Sequence, residues 1–425
     1  MGGFHPLQKL RILRVGLKIS AIMKYLKVKG TRDILPPESE LREQIWTKAK
    51  AILKAYGYGI ITTPTFEYTE LFVRSVGETT DIVEKEMYSF KDRGGRSLTL
   101  RPEGTAGVIR AFLENHMVPP VKLAYFENMF RAERPQKGRF REFWQIGVEF
   151  IGPADPLADA EIIEMGLNML RSFGIEDVKL EINSIGMPQE RKAYREKLLE
   201  YLRDKRDELC DDCKRRMERN PLRVLDCKID APKLIDAPKL LDFLSEDSRD
   251  HFDKVLDYLR SWGIGFEINP RLVRGLDYYT KTVFEFKFSG LGAQDTLLAG
   301  GRYDLLVEEL GGRPTPAVGF AMGVERIILA LGREGEPPKP KYFIVTLGEK
   351  ARNYGIELLR GLRQKGISAE ISHDPKSLRA QMKLANRLGA RYALIIGEDE
   401  LAQNKVKLRD MESGVERLVD ESELT

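Results

Sequence analysis

Apolar and polar residues alternate along this chain with two different periods, and the switches between them mark its elements. Across residues 38–56 the apolar positions recur at helical spacing. Pro36-Pro37 ahead of them and Gly57 behind give such a helix its start and stop. Ile60-Ile-Thr-Thr-Pro64 reads as a strand, and its proline suits a sheet edge, where a missing N–H costs no ladder bond. Residues 121–134 and 142–152 read as the two strands of an antiparallel hairpin, joined by the basic turn Pro135-Gln-Lys-Gly-Arg139. The second strand has a strict period of two. Trp144, Ile146, Val148 and Phe150 make a core-facing side, while Phe143, Gln145, Gly147 and Glu149 make a side suited to a pocket floor.

Residues 188–263 follow a helical pattern with equal numbers of acids and bases, and interrupt two strand-rich regions as an inserted module. Inside it Asp230-Ala-Pro-Lys-Leu repeats as Asp236-Ala-Pro-Lys-Leu, a short duplication with no chemistry attached. Strands return at 266–269 and 282–288. Gly332-Arg-Glu-Gly-Glu-Pro-Pro-Lys-Pro340 has the composition of a linker. Beyond it, strands at 342–347, 367–371 and 393–396 alternate with helices at 350–364 and 377–388, which predicts a small, mainly parallel α/β domain. The fold class is therefore α+β: an antiparallel sheet flanked by helices, a helical insertion and a C-terminal α/β unit. The segments are an extension (1–23), a first domain in two parts (24–186 and 265–331), the insertion (187–264), a linker (332–341) and the last domain (342–425).

At 425 residues the chain has room for two or three cores, and 42% hydrophobic with 32% charged residues is an ordinary globular balance. The net charge of +4 does not by itself indicate a nucleic-acid partner, so any such partner must be argued from local sites. Three cysteines, Cys210, Cys213 and Cys227, are too few for a disulfide framework and fit a reducing, cytoplasmic setting. Cys210-Asp-Asp-Cys213 has the spacing of half a zinc site with Cys227 as a third ligand. With no fourth ligand evident nearby, the thiols are read as structural and no metal site is expected. The first 29 residues hold seven basic side chains and no acid, read as an extension ahead of a start at Met23. No apolar run reaches the ~20 residues of a membrane helix.

The candidate chemistry gathers on the hairpin. Arg131 and Glu133 occupy alternate positions near the end of the first strand, and Arg134, Lys137, Arg139 and Arg141 follow. Five cations within eleven positions call for an anion such as polyphosphate or RNA. A second element, Gly319-Phe-Ala-Met-Gly-Val-Glu-Arg326, turns from a glycine-rich strand into a helix whose buried stripe is Val324, Ile327, Ile328 and Leu331. Arg326 falls in the first turn, where a cation opposes the helix dipole at a cost of about 0.3–1 kcal/mol, a placement that a bound phosphate would explain. No P-loop or dinucleotide-binding glycine pattern is present.

These stretches together resemble the class II aminoacyl-tRNA synthetases. Thr62-Thr63-Pro64 is similar to the first motif of that class, Phe130-Arg-Ala-Glu-Arg134 through Glu149 to its second, and Gly319 through Arg326 to its third. Leu272-Val-Arg-Gly-Leu-Asp-Tyr-Tyr279 and Ala299-Gly-Gly-Arg-Tyr-Asp304 narrow the resemblance to the histidyl family. Lys29-Gly-Thr-Arg-Asp33 and Leu100-Arg-Pro-Glu-Gly-Thr105 are also typical of it. The resemblance runs from about Val28 into the C-terminal domain. It implies activation of L-histidine by ATP, with Mg²⁺ carried on the phosphates, followed by transfer to the 3′ end of tRNA(His) by a homodimer whose last domain reads the anticodon. It also implies residue roles. Arg131 holds the carboxylate and α-phosphate, Arg274 the α-phosphate, and Arg326 the far end of ATP, and these three form the catalytic set. Glu133, Arg139 and Phe143 join them around the nucleotide, with Phe143 stacking on adenine. Glu103, Gly104, Thr105, Gln145 and Glu149 surround the histidine, with Tyr278 and Tyr279 closing the ring pocket. Asp277 is the one nearby acid expected to offer Arg274 a structural ion pair. Trp144 departs from the family pattern, which has a smaller aromatic or histidine there. The four histidines, His5, His116, His251 and His373, lie outside the motifs, so no protein nucleophile is expected. Three other readings compete: a regulatory subunit of ATP phosphoribosyltransferase, a different amino-acid specificity, and a nucleic-acid-binding module without catalysis. Retained Arg274 and a separate last domain oppose the first, the tyrosine pair and carboxylates the second, and an acid-lined pocket face the third.

Overall fold

The computed structural model describes residues 25–77, 80–225, 227, 229–292, 295–374 and 377–425, so the basic extension lies outside the described residues. The chain divides into two compact units. One comprises the described residues up to Leu35 with Leu41–Glu334, the other Pro36–Glu40 with Gly335–Thr425.

The first unit is built on an eight-stranded sheet. In chain order its strands are β1 (Gly59–Ile60), β2 (Val121–Phe130), β3 (Glu142–Ile151), β4 (Lys179–Ser184), β5 (Glu267–Ile268), β6 (Thr280–Lys287), β7 (Thr296–Arg302) and β8 (Ala317–Gly323). Their spatial order is β1-β2-β3-β8-β7-β6-β4-β5. The six central strands pair antiparallel, and only the two-residue edges β1 and β5 run parallel to their neighbours.

One face of this sheet is covered by helices α1 (Glu38–Ala55), α3 (Pro156–Phe173) and α6 (Glu246–Ser261), a set whose cores merge with the strands. The sequence fixes the ends of α3 sharply. The Asp155 side chain accepts the Leu157 N–H, Pro156 opens the first turn, and Gly174 closes the helix in a left-handed conformation at φ 100°. Ile146, Val148 and Phe150 of β3 enter this core as their spacing predicts, and Trp144 packs at its margin. The Trp144 ring lies 4.9 Å from Phe126, which stacks on Trp46 of α1 at 5.0 Å, so the unusual tryptophan completes an aromatic row away from the cavity. Each fully buried Leu, Ile or Phe of this layer contributes about 1.5–3 kcal/mol.

Within the insertion α4 (Pro188–Asp204), α5 (Asp211–Arg219) and α6 are α-helical as expected, and the stretch between α5 and α6 differs, broken into short 3₁₀ turns at Pro221–Val224, Ala231–Lys233 and Leu240–Phe243. Prolines at 221, 232 and 238 remove the donors a continuous helix would need. Helix α6 does not share the insertion's core. Its Phe252, Val255, Leu256 and Leu259 pack with α3 and the sheet.

The second unit has a five-stranded sheet. Its strands are β9 (Tyr342–Thr346), β10 (Ala369–Ile371), β11 (Tyr392–Ile396), β12 (Val406–Asp410) and β13 (Glu416–Val419), in the order β10-β9-β11-β12-β13. The first three are parallel as expected, and the antiparallel hairpin β12–β13 is an addition to the sequence reading.

Candidate active site

The face of the sheet opposite the helices floors a cavity of about 510 Å³. All thirteen residues singled out from the sequence line it: Arg131, Arg274 and Arg326; Glu103, Gly104, Thr105, Gln145, Glu149, Tyr278 and Tyr279; and Glu133, Arg139 and Phe143. The pleat of β3 accounts for Phe143, Gln145 and Glu149, which alternate with the core residues already described. Space for them comes from glycines. A Cβ on Gly147 would stand 2.1 Å from the Tyr125 ring, and one on Gly319 would stand 2.3 Å from a Glu149 carboxylate oxygen.

Glu149 lies at the bottom. It is buried, accepts the Thr105 hydroxyl at 2.8 Å on one oxygen, and accepts the Tyr303 hydroxyl on the other. Burial pushes its carboxyl up to about 8, against the pull of those two donors. Glu103 is also buried, and its carboxylate takes the backbone N–H groups of Thr105 and Ala106, both at 2.8 Å, where α2 (Thr105–Glu114) begins. Its pKa too is raised by burial, which those amides oppose. Gln145 adds a buried Oε1 with no hydrogen-bond partner among the described residues, an acceptor left for a ligand. Tyr278 and Tyr279 stand 4.7 Å apart, and Tyr303 meets Tyr278 edge-on at 5.6 Å. Tyr303 went unassigned in the sequence reading although it lies within the quoted Ala-Gly-Gly-Arg-Tyr-Asp stretch. Its neighbour Arg302 turns into the core instead, where it pairs with Asp159 at 2.5 Å while His251 meets the same carboxylate at 3.3 Å.

Cations line the rest. The β2–β3 ladder ends at Phe130–Glu142, so Arg131 and Glu133 lie just past the strand rather than on it. Arg131 is fixed there by its own N–H on the Arg141 carbonyl and by its guanidinium on the Pro102 carbonyl, and it rests 5.3 Å from the Phe143 ring. Glu133 lies between two arginines, accepting Arg139 at 2.7 Å with Arg131 at 3.9 Å. The Lys29–Asp33 stretch braces this loop through the Arg141 N–H on the Gly30 carbonyl and Arg32 over Phe140. Arg326 lies in the first turn of α7 (Val324–Leu331) and donates to the Thr296 carbonyl. Burial and the nearby Arg139 push its guanidinium below the ordinary value, the cost of crowding cations around an anion site. Arg274 departs from expectation. It pairs with Glu285 of β6, whose other oxygen accepts Thr296, while Asp277 takes Asn220 instead. Glu285 was missed because only the strand register brings it within reach of a residue eleven positions earlier.

Antiparallel strands, three arginine-bearing motifs and a carboxylate-floored cavity define a class II aminoacyl-tRNA synthetase, as the motifs implied. Comparison with known proteins narrows this. The histidyl-tRNA synthetase family model matches residues 30–327, and an anticodon binding domain model matches residues 341–425. The chain belongs to the histidyl-tRNA synthetase family. It is 51% identical to the histidine–tRNA ligase of Aquifex aeolicus, covering 95% of this chain and 100% of that one. It is 50% identical to that of Halothermothrix orenii, over 91% and 94%. An apo histidyl-tRNA synthetase structure from S. aureus matches with a TM-score of 0.78 and 38% identity, covering 94% of this chain and 98% of that one.

Proposed function

We infer that the chain is a histidine–tRNA ligase that activates L-histidine with ATP, releasing pyrophosphate, and transfers histidine to the 3′ end of tRNA(His). The observation that carries this is the joining, in one cavity, of an arginine-lined part with a floor of Glu149, Gln145 and tyrosines. MgATP enters as substrate, with the metal on its phosphates. Arg131, Arg139, Arg274 and Arg326 offset the triphosphate charge, beside Glu133, and Phe143 supplies the flat surface for adenine. The histidine carboxylate attacks the α-phosphorus, and the bond to pyrophosphate breaks. Arg131 and Arg274 stabilise the charge that grows on the α-phosphate, and no protein nucleophile takes part.

Glu103, Gly104, Thr105, Gln145 and Glu149 hold the amino acid, and Tyr278 and Tyr279 enclose its ring. An imidazole offers one donor and one acceptor, which a carboxylate and hydroxyls can read together. We read residues 24–186 and 265–331 as the catalytic domain, 187–264 as the insertion, and 342–425 as the anticodon reader of a cytoplasmic homodimer. ATP–pyrophosphate exchange with each of the twenty amino acids tests the assignment. Exchange depends on histidine and Mg²⁺, and comparable exchange with proline or threonine overturns it.

A further inference from the structure

The insertion holds a cluster that the aminoacylation chemistry does not use. In the sequence Cys210-x₂-Cys213 and Cys227-x₂-Asp230 are two pairs of identical spacing, thirteen residues apart. The fold closes them into one group. Cys210 immediately precedes α5, Cys213 lies in its first turn, Cys227 follows the Pro221–Val224 turn, and Asp230 precedes the Ala231–Lys233 turn. The three sulfurs and a carboxylate oxygen all lie within 4.8 Å of one another. Cys210 Sγ to Cys227 Sγ is 3.9 Å, and Cys227 Sγ to Asp230 Oδ2 is 3.9 Å. A tetrahedral zinc with metal–sulfur bonds of ~2.3 Å has ligand–ligand edges of about 3.8 Å. The sequence alone left this set one ligand short, and Asp230 is the fourth.

Burial strengthens the case. Cys213 and Asp230 are fully buried and Cys227 nearly so. The Asp230 carboxylate accepts the Cys210 N–H at 2.9 Å and the Lys233 ammonium at 3.0 Å, contacts that hold it facing the sulfurs. We propose that Cys210, Cys213, Cys227 and Asp230 form a structural site for a divalent, thiophilic cation of the zinc class. Three soft thiolates select such an ion, and four protein ligands leave no open position for catalysis. The need is physical: the insertion's own core is small, and two of its buried members are Cys213 and Cys227 themselves.

The site also has a route to the cavity. Helix α5 and the turn after it carry Arg216 and Arg223, which bind Asp81 at 3.0 and 3.2 Å, and Arg223 also donates to the Arg274 carbonyl at 3.3 Å. Gly275 allows that approach, since a Cβ there would stand 3.0 Å from the Arg223 guanidinium. The metal thus fixes the segment that steadies the Arg274 loop. This second step rests on the proposed role of Arg274, whereas the metal site does not.

The test uses the full chain, purified under reducing conditions. Elemental analysis finds about one zinc per chain. Chelation followed by Co²⁺ titration gives thiolate-to-cobalt charge transfer and the ligand-field bands of a tetrahedral ion at one equivalent. Cys213→Ser and Asp230→Ala lose that spectrum, and Asp230→Cys regains it as a four-thiolate site. Should those variants fail to fold, the wild-type titration decides alone. Reduced wild-type protein that holds no zinc and shows no thiolate–cobalt absorption overturns the proposal. So do thiols that react with a disulfide reagent equally fast with and without Zn²⁺. If metal binds but its removal leaves histidine-dependent exchange unchanged, the link to the Arg274 loop falls while the site stands.

Discussion

Among single residues, the buried carboxyl of Glu149, raised to about 8, ties stability to pH. Its carboxyl is raised by burial from the ordinary 4.5 to about 8, so the folded chain holds a proton that the unfolded chain releases. Stability from this group is full below pH 4.5 and lost as pH rises through about 8. Thermal melting of the unliganded protein therefore falls between pH 5 and 8.5, more steeply than in Glu149→Gln. On the proposed reading, histidine binding brings an imidazole N–H to the carboxylate and favours its ionised form. Calorimetry near pH 7.5 in two buffers of different ionisation heat then reports proton release that Glu149→Gln abolishes. Equal release by both proteins removes Glu149 from that role. Arg274 supplies the second test at this scale. Replacing it with alanine lowers kcat for exchange by about 10²–10³ with little change in KM for histidine. Arg274→Lys recovers part of the loss, because an ammonium lacks the planar two-point contact. Glu285→Gln breaks the same ion pair yet retains an acceptor, so its kcat stays within about tenfold of wild type. Equal losses in Arg274→Ala and Glu285→Gln would make Arg274 a structural partner only. The identity of that partner was not legible in the sequence. Asp277 is near in the chain and faces Asn220, whereas Glu285 is brought close by the register of β6.

Elements were legible where a period persists and obscure where it breaks. Ten residues of β3 alternate without interruption, and the pocket face followed from that alternation. The hairpin β12–β13 was missed although Val406 and Leu408 alternate with Lys407 and Arg409, because its strands have only five and four residues. The insertion's helical pattern holds in α4, α5 and α6, and Pro221, Pro232 and Pro238 interrupt it between α5 and α6. At the other end of the size range, β1 has two residues, both exposed, and its outer edge is unpaired among the described residues. Close in sequence, Phe66 and Tyr68 are about half exposed, and Phe66 meets the exposed Phe90 edge-on at 6.3 Å. An edge strand and an exposed aromatic cluster are the kinds of surface that a second copy can cover. Sedimentation at micromolar concentration gives twice the mass of one chain, and Phe66→Asp shifts the species toward one chain. A wild-type monomer with full exchange activity rules out the homodimer.

At the scale of the molecule, two units with separate cores predict two separable activities. The second unit buries its own apolar residues on both sides of β9 and β11. Ile344, Leu358 and Leu394 lie on one side, and Phe343, Ala385 and Ala393 on the other. The cavity residues all belong to the first unit. Linker composition and a change from antiparallel to alternating strand–helix pattern both fall in the sequence near residue 335, where the two compact units divide. The anticodon binding domain model matches only the part beyond it. Ending the chain after Gly332 removes that part while leaving every cavity residue in place. Histidine-dependent pyrophosphate exchange, which needs no tRNA, then stays within about threefold of the full chain. Charging of tRNA(His) loses about 10² in kcat/KM, equivalent to ~2.7 kcal/mol of transition-state binding drawn from the distant anticodon contact. Adding tRNA in excess distinguishes the cause. If the deleted unit supplied affinity alone, saturating tRNA restores the transfer rate, and if it also aligned the acceptor end, the rate stays low at saturation. A truncated chain that melts cooperatively yet loses exchange and charging in equal measure contradicts the separation.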